Sequence, residues 1–252
     1  VSVGFAESAT DTQPAREARE KLAPKAKTKI KVSAQVDWAS KYVFRGVNRG
    51  DDAVLQSSLQ VNYGRLSGSI WGNVDLSRTN VYYGTSDGFA RVTEYRSSLK
   101  YTAPTPTGNL SLGVTHFDFA NTGRPSTTEV WGKANLRGPF APYVAAYFDV
   151  DEGNGAYVEL GAGRFLAFDP SGFGVHFSGS IGYGTSNFNS FTYGVSKAGL
   201  TDLGLRTTII FPIDSKFSLT TFAGFSTYLN DDIRAGRTST NFTFGTTIGI
   251  RF

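Results

Sequence analysis

From residue 30 onward the chain alternates apolar and polar side chains with a period of two, and this alternation leaves few folds open. It is clearest over Thr240–Phe252. Phe242, Phe244, Thr246, Ile248, Ile250 and Phe252 share one parity there, and Asn241, Thr243, Gly245, Thr247, Gly249 and Arg251 share the other. Successive side chains of an extended strand point to opposite faces, so each such stretch has one oily and one polar face. An unprotected strand of this kind invites pairing with other chains in water. In a closed transmembrane sheet the oily face meets lipid and no edge is left.

The same pattern recurs along the chain. Ile30, Val32, Ala34, Val36, Trp38, Tyr42 and Phe44 fall on one parity, and Lys31, Gln35, Asp37, Lys41 and Arg45 on the other. This reads as a first crossing running to about Phe44, oily outside and charged inside. Further crossings are expected near 55–63, 66–76, 90–102, 109–119, 127–137, 141–150, 156–166, 174–184, 198–211, 216–229 and 240–252. The sum is about twelve, an even number as single-chain bacterial barrels require. Tight turns carrying Gly or Pro, such as Gly64-Arg65 and Asp169-Pro-Ser-Gly172, alternate with longer polar links such as 77–89, 185–197 and 230–239. Trp38, Tyr42, Phe44, Tyr63, Tyr101, Phe173, Tyr183, Phe211 and Phe252 lie toward the expected strand ends, where rings suit lipid headgroups. The fold class expected is all-β: a transmembrane antiparallel up-and-down β-barrel over 29–252, with a short N-terminal periplasmic segment over 1–28.

Composition agrees. Glycine (29), phenylalanine (20) and tyrosine (12) are abundant and only 18% of residues are charged, a turn-rich and β-prone mixture. No run of about 18 apolar residues occurs, so any crossing must be made by strands. With no cysteine, disulfides and thiolate metal sites are excluded. The net charge of +4 does not argue for nucleic acid, because Lys21, Lys25, Lys27, Lys29 and Lys31 cluster near the N-terminus without a recognition motif.

Two resemblances add to this reading. The last strand, through Phe242, Phe244, Ile248, Ile250 and Phe252, resembles the assembly signal of bacterial outer-membrane barrels. The stretch Asp37-Trp-Ala-Ser-Lys-Tyr-Val-Phe-Arg-Gly-Val47 resembles the opening strand of the TorF-type porin family, through Ser40, Tyr42, Val43, Phe44, Arg45 and Gly46. That resemblance implies an outer-membrane barrel from about residue 30 to the end and transfers no catalytic residue; the alternation of short turns with longer links is what puts both termini on the periplasmic side.

The chemistry-bearing candidates are few. His176 and Ser178 share the inner parity, but i and i+2 on one strand lie ~7 Å apart and no third orienting group accompanies them, so an enzyme is not expected. His116 shares parity with the outward residues. Asp149-Val-Asp-Glu-Gly-Asn-Gly155 lacks the full Ca²⁺ loop pattern and reads as a solvated turn. No cofactor or metal is expected. What remains is the inner parity itself: Lys31, Asp37, Lys41, Arg45, Glu94, Arg96, Lys100, Glu129, Lys133, Asp149, Glu159 and Arg206. These residues are expected to line a narrow channel for passive diffusion of small polar or anionic solutes. The alternative is that opposite charges pair across strands and brace a closed barrel, which would serve as a membrane anchor or bind a partner through residues 1–28 or the outer loops. Expected partners are outer-membrane lipid and lipopolysaccharide, the barrel-assembly machinery, and an envelope protein through residues 1–28.

Overall fold

The structure, a computed structural model, describes residues 29–252 except 81, 83, 87, 88 and 236. The extension expected over residues 1–28 lies outside the described residues. In chain order the elements are β1 (Ile30–Ala39), β2 (Tyr42–Phe44), β3 (Val47–Gly50), β4 (Val54–Tyr63), β5 (Leu66–Asp75), β6 (Thr79–Asn80), β7 (Thr85–Ser86), β8 (Arg91–Thr105) and β9 (Gly108–Asp118). They continue with β10 (Thr127–Leu136), β11 (Tyr143–Asp149), β12 (Ala156–Ala167), β13 (Gly174–Gly184), helix α1 (Ser186–Tyr193), β14 (Gly199–Pro212), β15 (Phe217–Tyr228), helix α2 (Asp231–Arg234) and β16 (Thr240–Arg251).

Twelve of these strands form one closed antiparallel barrel in the order β1-β16-β15-β14-β13-β12-β11-β10-β9-β8-β5-β4. The seam that closes it pairs Val36 with Ile248 and Asp37 with Thr247. Most of the strands have ten residues or more, enough to cross a hydrocarbon layer at a tilt. The turns at 64–65, 106–107, 137–142, 168–173 and 213–216 sit at one rim, which also holds the start of β1 and the end of β16. The longer links form the other rim.

The sides of the wall are inverted relative to a water-soluble barrel. Outward residues such as Ile248, Leu99 and Leu112 are 57%, 55% and 55% exposed, whereas inward Glu94, Asn73 and Asp202 are 0%, 1% and 5% exposed. Large apolar side chains on the outside and polar ones within is the arrangement lipid selects. At the short-turn rim, outward Phe168 meets Phe173 edge-on and Phe211 stacks on it, with centroids 5.3 and 5.0 Å apart, forming part of an aromatic belt.

Eleven of the expected crossings match the strands within a few residues, and the first needs correcting. β1 ends at Ala39, and the chain then turns into the lumen instead of continuing along the wall. Tyr42 is only 5% exposed and Phe44 is partly buried, so neither faces lipid. Lys41 and Arg45 likewise leave the wall. In the wall β1 pairs directly with β4, from Ile30 opposite Tyr63 to Ala39 opposite Val54, and β2 and β3 pair only with each other.

This placement predicts an asymmetric response to charge. Leu59→Arg, on the outer face midway along β4, is expected to destabilise the barrel by ~2–4 kcal/mol in urea unfolding from phospholipid vesicles, while inward-facing Gln60→Arg costs much less. Equal costs would contradict the assignment of faces.

Candidate functional site

The site is built on the segment that leaves the wall. β2 and β3 are joined by Arg45-Gly46, whose φ angles of 49° and 77° are both positive, as a two-residue type I′ turn requires. Gly46 is needed twice over: it adopts the left-handed conformation, and a Cβ there would lie 2.6 Å from the Cβ of Asp202 on β14. Arg45 adopts that conformation without being glycine, a local cost of ~1–2 kcal/mol that its contacts offset.

Those contacts are the strongest in the lumen. Arg45 donates to both carboxylate oxygens of Glu129 on β10, at 2.6 and 2.8 Å. Its guanidinium also lies over the rings of Tyr147, Tyr157 and Phe44 at 4.3, 4.7 and 4.8 Å. Burial opposes the charge on Arg45, but the Glu129 carboxylate outweighs it and raises the guanidinium pKa. Arg49 on β3 meets Glu94 on β8 at 2.7 Å, and Arg96 reaches the same carboxylate at 2.6 Å. Tyr42 donates to Glu94 at 3.0 Å while Arg96 donates to the Tyr42 hydroxyl. Burial in this cluster pushes the Tyr42 hydroxyl pKa up, which keeps it a neutral donor. At the base of the hairpin Lys41 pairs with Asp51, and hydrogen bonds from Lys41 and Asn48 hold the Asp51 carboxyl below its ordinary range. The hairpin is thus tied to the wall by buried charge pairs, each strongly costly to break singly.

The long-loop rim contributes two further inward elements. Helix α1 is capped by Thr185 at its start and by Gly194, at φ 66°, at its end, and it buries Phe188 and Tyr193. The Tyr193 hydroxyl donates to the backbone oxygen of Arg45 at 2.7 Å, fixing helix to hairpin. Helix α2 buries Ile233 beside them, in one cluster with Val47, Tyr157 and Tyr228.

The lumen is therefore divided. Between the hairpin and the short-turn rim lie two lobes of 570 and 340 Å³, both bordered by Val43, Arg45 and Glu159. On the long-loop side a 570 Å³ cavity is lined by Asn48, Asp51, Asp52 and Asn80 among others.

The expected lumen residues divide accordingly. Arg45, Glu94, Arg96 and Glu129 are brought together in the hairpin cluster. Lys100 and Lys133 line the larger lobe, Arg206 the smaller, and Glu159 both. Among the described residues no carboxylate forms an ion pair with Lys100, Lys133 or Arg206. Instead Lys133 lies over the Tyr143 ring and Arg206 over the Phe222 ring, each at 3.6 Å. Lys31 and Asp37 sit on the inner face of β1. Asp149 accepts from Thr127 Oγ1 at 2.7 Å and from the backbone N–H groups of Asp151 and Gly153 at 3.0 Å, so it closes its own loop. The inner parity of β13 holds His176 and Ser178, but Ser178 donates to the backbone of Arg206 at 3.5 Å and no hydrogen bond joins it to His176 among the described residues. Opposite charges do pair, though mostly through the hairpin and not between neighbouring wall strands. Sequence reasoning missed Arg49, Phe188 and Tyr193; the aromatic residues of an otherwise polar loop, bounded by Thr185 and Gly194, were the available signal.

No protein-family model matches the chain, and no curated protein matches it. Among solved structures, it is similar to the KdgM porin in complex with disordered oligogalacturonate (7% identity, 88% of this chain and 98% of that one, TM-score 0.48). It is also similar to an outer membrane channel from Pseudomonas putida F1 (12% identity, 92% and 100%, TM-score 0.49) and to the Acinetobacter baumannii outer membrane protein Omp33 (11% identity, 89% and 98%, TM-score 0.45). TM-scores below 0.5 carry nothing over to this chain, whose fold rests on its own hydrogen bonding.

The charge pairs set the stability of the hairpin separately from that of the barrel. Glu129→Gln leaves Arg45 buried without its counter-charge, at a cost of ~3–5 kcal/mol. Hydrogen exchange of the Tyr42–Gly50 amides is expected to accelerate by orders of magnitude while the wall strands stay protected. Unchanged protection would mean that the pair does not hold the hairpin.

Proposed function

We propose that this chain is an outer-membrane channel through which small polar solutes, anions preferentially, diffuse passively, with the β2–β3 hairpin as its constriction. The observation that carries this reading is the lumen below the hairpin. It holds lobes of 570 and 340 Å³ lined in large part by polar and charged side chains, and its cations Lys100, Lys133 and Arg206 are unmatched by ion pairs among the described residues. Eight strands enclose little more than their own side chains and sixteen leave an open pore, so twelve leave room that a folded-in segment narrows without filling. The hairpin hydrogen-bonds to itself and is held to the wall by side chains, so the obstruction is separable from the barrel.

In this reading the short-turn rim, and with it both termini, is periplasmic, and lipopolysaccharide surrounds the long-loop rim. The outward Phe242, Phe244 and Ile248, together with Ile250 and Phe252, form the segment for the barrel-assembly machinery. The likeness to the TorF-type family rests on Ser40 to Gly46, with an echo in residues 200–205 and in the final strand, and Ser40 to Gly46 make the turn into the lumen instead of an opening strand. The buried ion pairs favour a second reading, a closed barrel that anchors its loops or residues 1–28 for a partner.

Planar-bilayer recording separates the two. The channel reading expects small conductance steps from the whole chain and steps severalfold larger when residues 41–52 are replaced by a short Gly-Ser link. The absence of steps in both would leave the anchor. In the conducting protein, replacing Lys100 and Lys133 by Glu is expected to move the reversal potential toward cation preference.

A further inference from the structure

We propose that the larger lobe below the hairpin binds a monosaccharide bearing one anionic group, stacked on Trp131 between Lys100 and Lys133; this deepens the channel reading and rests on the lumen being the solute path.

The arrangement follows from strand register. Lys100, Gly113, Trp131 and Tyr147 lie directly opposite one another on β8, β9, β10 and β11, in one row across the inner wall. A Cβ at Gly113 would overlap the indole, so the ring lies down across the glycine toward Lys100. The indole Nε1 donates to Thr115 Oγ1 at 3.0 Å, which fixes the ring in its plane. One face is thus against the wall and the other toward the chamber. Lys133 is the next inward residue on the same strand, ~7 Å from Trp131 along the wall, and Lys100 stands two strand spacings away, ~10 Å. Both ammonium groups are on four-carbon stems long enough to meet a ligand laid on the indole, and Lys133 rests over the Tyr143 ring.

A ring laid over a cross-strand glycine is often no more than a packing device. Phe222 over Gly245 is a second example in this lumen. What distinguishes Trp131 is the state of its inner face. Tyr143 and Phe222 are covered by Lys133 and Arg206 at 3.6 Å, and Trp71 by Arg96 at 4.4 Å. Among the described residues no cation covers Trp131. The nearby carboxylate, Glu159, already accepts from the Tyr143 hydroxyl at 2.7 Å. Hydroxyls on the neighbouring strands form pairs, Ser98 with Thr115 and Thr102 with Ser111, each at 2.9 Å.

A ligand matching this surface needs a flat face with C–H groups for the indole, hydroxyls at its edge for the Ser and Thr pairs, and one negative charge for the lysines. A pyranose carrying a carboxylate or a phosphate has all three. A neutral sugar leaves the lysines unmatched, and a small anion without a ring leaves the indole face in water. The volume of 570 Å³ falls in the range of small-molecule sites.

The test is calorimetry and tryptophan fluorescence on the whole chain in detergent, with glucuronate, glucose 6-phosphate, glucose and acetate as probes. Saturable binding of at least one of the two sugar anions is expected, and which one binds tells carboxylate from phosphate. Glucose and acetate are expected to bind at least tenfold more weakly. Lys100→Ala and Lys133→Ala should each weaken the sugar anion about tenfold. Trp131→Ala should abolish its binding, whereas Trp131→Phe, which keeps a ring, retains most of it and guards against misfolding of the Ala variant. The proposal is overturned if neither sugar anion binds, if acetate binds as well as they do, or if Trp131→Ala binds normally. Because binding is read without a membrane, conductance without binding removes this site alone, and binding without conductance removes the channel alone.

Discussion

Inside hydrocarbon no water is available to a backbone N–H or C=O, so a strand persists there only if both of its edges are paired. Everything else in this molecule depends on the seam that satisfies this condition, the pairing of β1 with β16 from Ser33 opposite Arg251 to Ala39 opposite Gly245. At its loop-side end the seam is extended by a residue that is no longer strand. Ser40 donates its backbone N–H to Phe244 O at 2.8 Å and accepts the Phe244 N–H on its own hydroxyl at 3.1 Å. A side chain thus takes over one rung of the ladder. The main chain is released to turn inward at the place where closure ends, so sealing the wall and filling the lumen are consequences of the same local geometry.

The filling is ionic where it could have been oily. Apolar side chains of similar volume would stabilise the interior as well or better, because each buried ion loses its hydration and recovers it only through good geometry. What the ions add is position. Glu129 takes Arg45 bidentately and Glu94 takes Arg49, so the turn and the return strand of the hairpin are fixed to two different wall strands, β10 and β8. Tyr193 fixes the carbonyl of Arg45 from a third direction. An oily plug of the same size would have many equivalent resting places; this one has few.

How much of this was legible in the sequence follows from what each element answers to. Wall strands answer to lipid on one side and water on the other, a contrast that repeats every second residue, so the wall strands from β4 onward could be read almost to their ends, whereas the short β6 and β7 fell inside the link read over 77–89. The hairpin answers to neither. Tyr42 and Phe44 keep the parity of β1, and nothing in the alternation marks the change from lipid-facing to lumen-facing aromatic side chains. Only Gly46 after Arg45 hinted at a turn, and that hint competes with glycines used inside strands, such as Gly113 and Gly245. The inward charges of the wall strands were legible from parity alone, although Lys41 and Arg45 belong to the hairpin segment instead. Their partners were not, because pairing depends on a segment whose path the alternation does not encode.

The division of charge along the lumen follows from the same hairpin. Carboxylates near its level are occupied: Glu94 and Glu129 by arginines, Asp202 by the hydroxyls of Tyr157 and Thr201, and Asp149 by its own loop. Below it, Lys100, Lys133 and Arg206 face Glu159 and Asp37. Most of the negative groups are therefore spent on architecture, and a mobile solute under the hairpin meets three cations against the two carboxylates Glu159 and Asp37, in a narrow space with low-dielectric walls where field lines concentrate. Anion preference in such a barrel does not require an excess of basic residues over the whole lumen. It requires only that the acidic ones be the residues that hold the constriction in place.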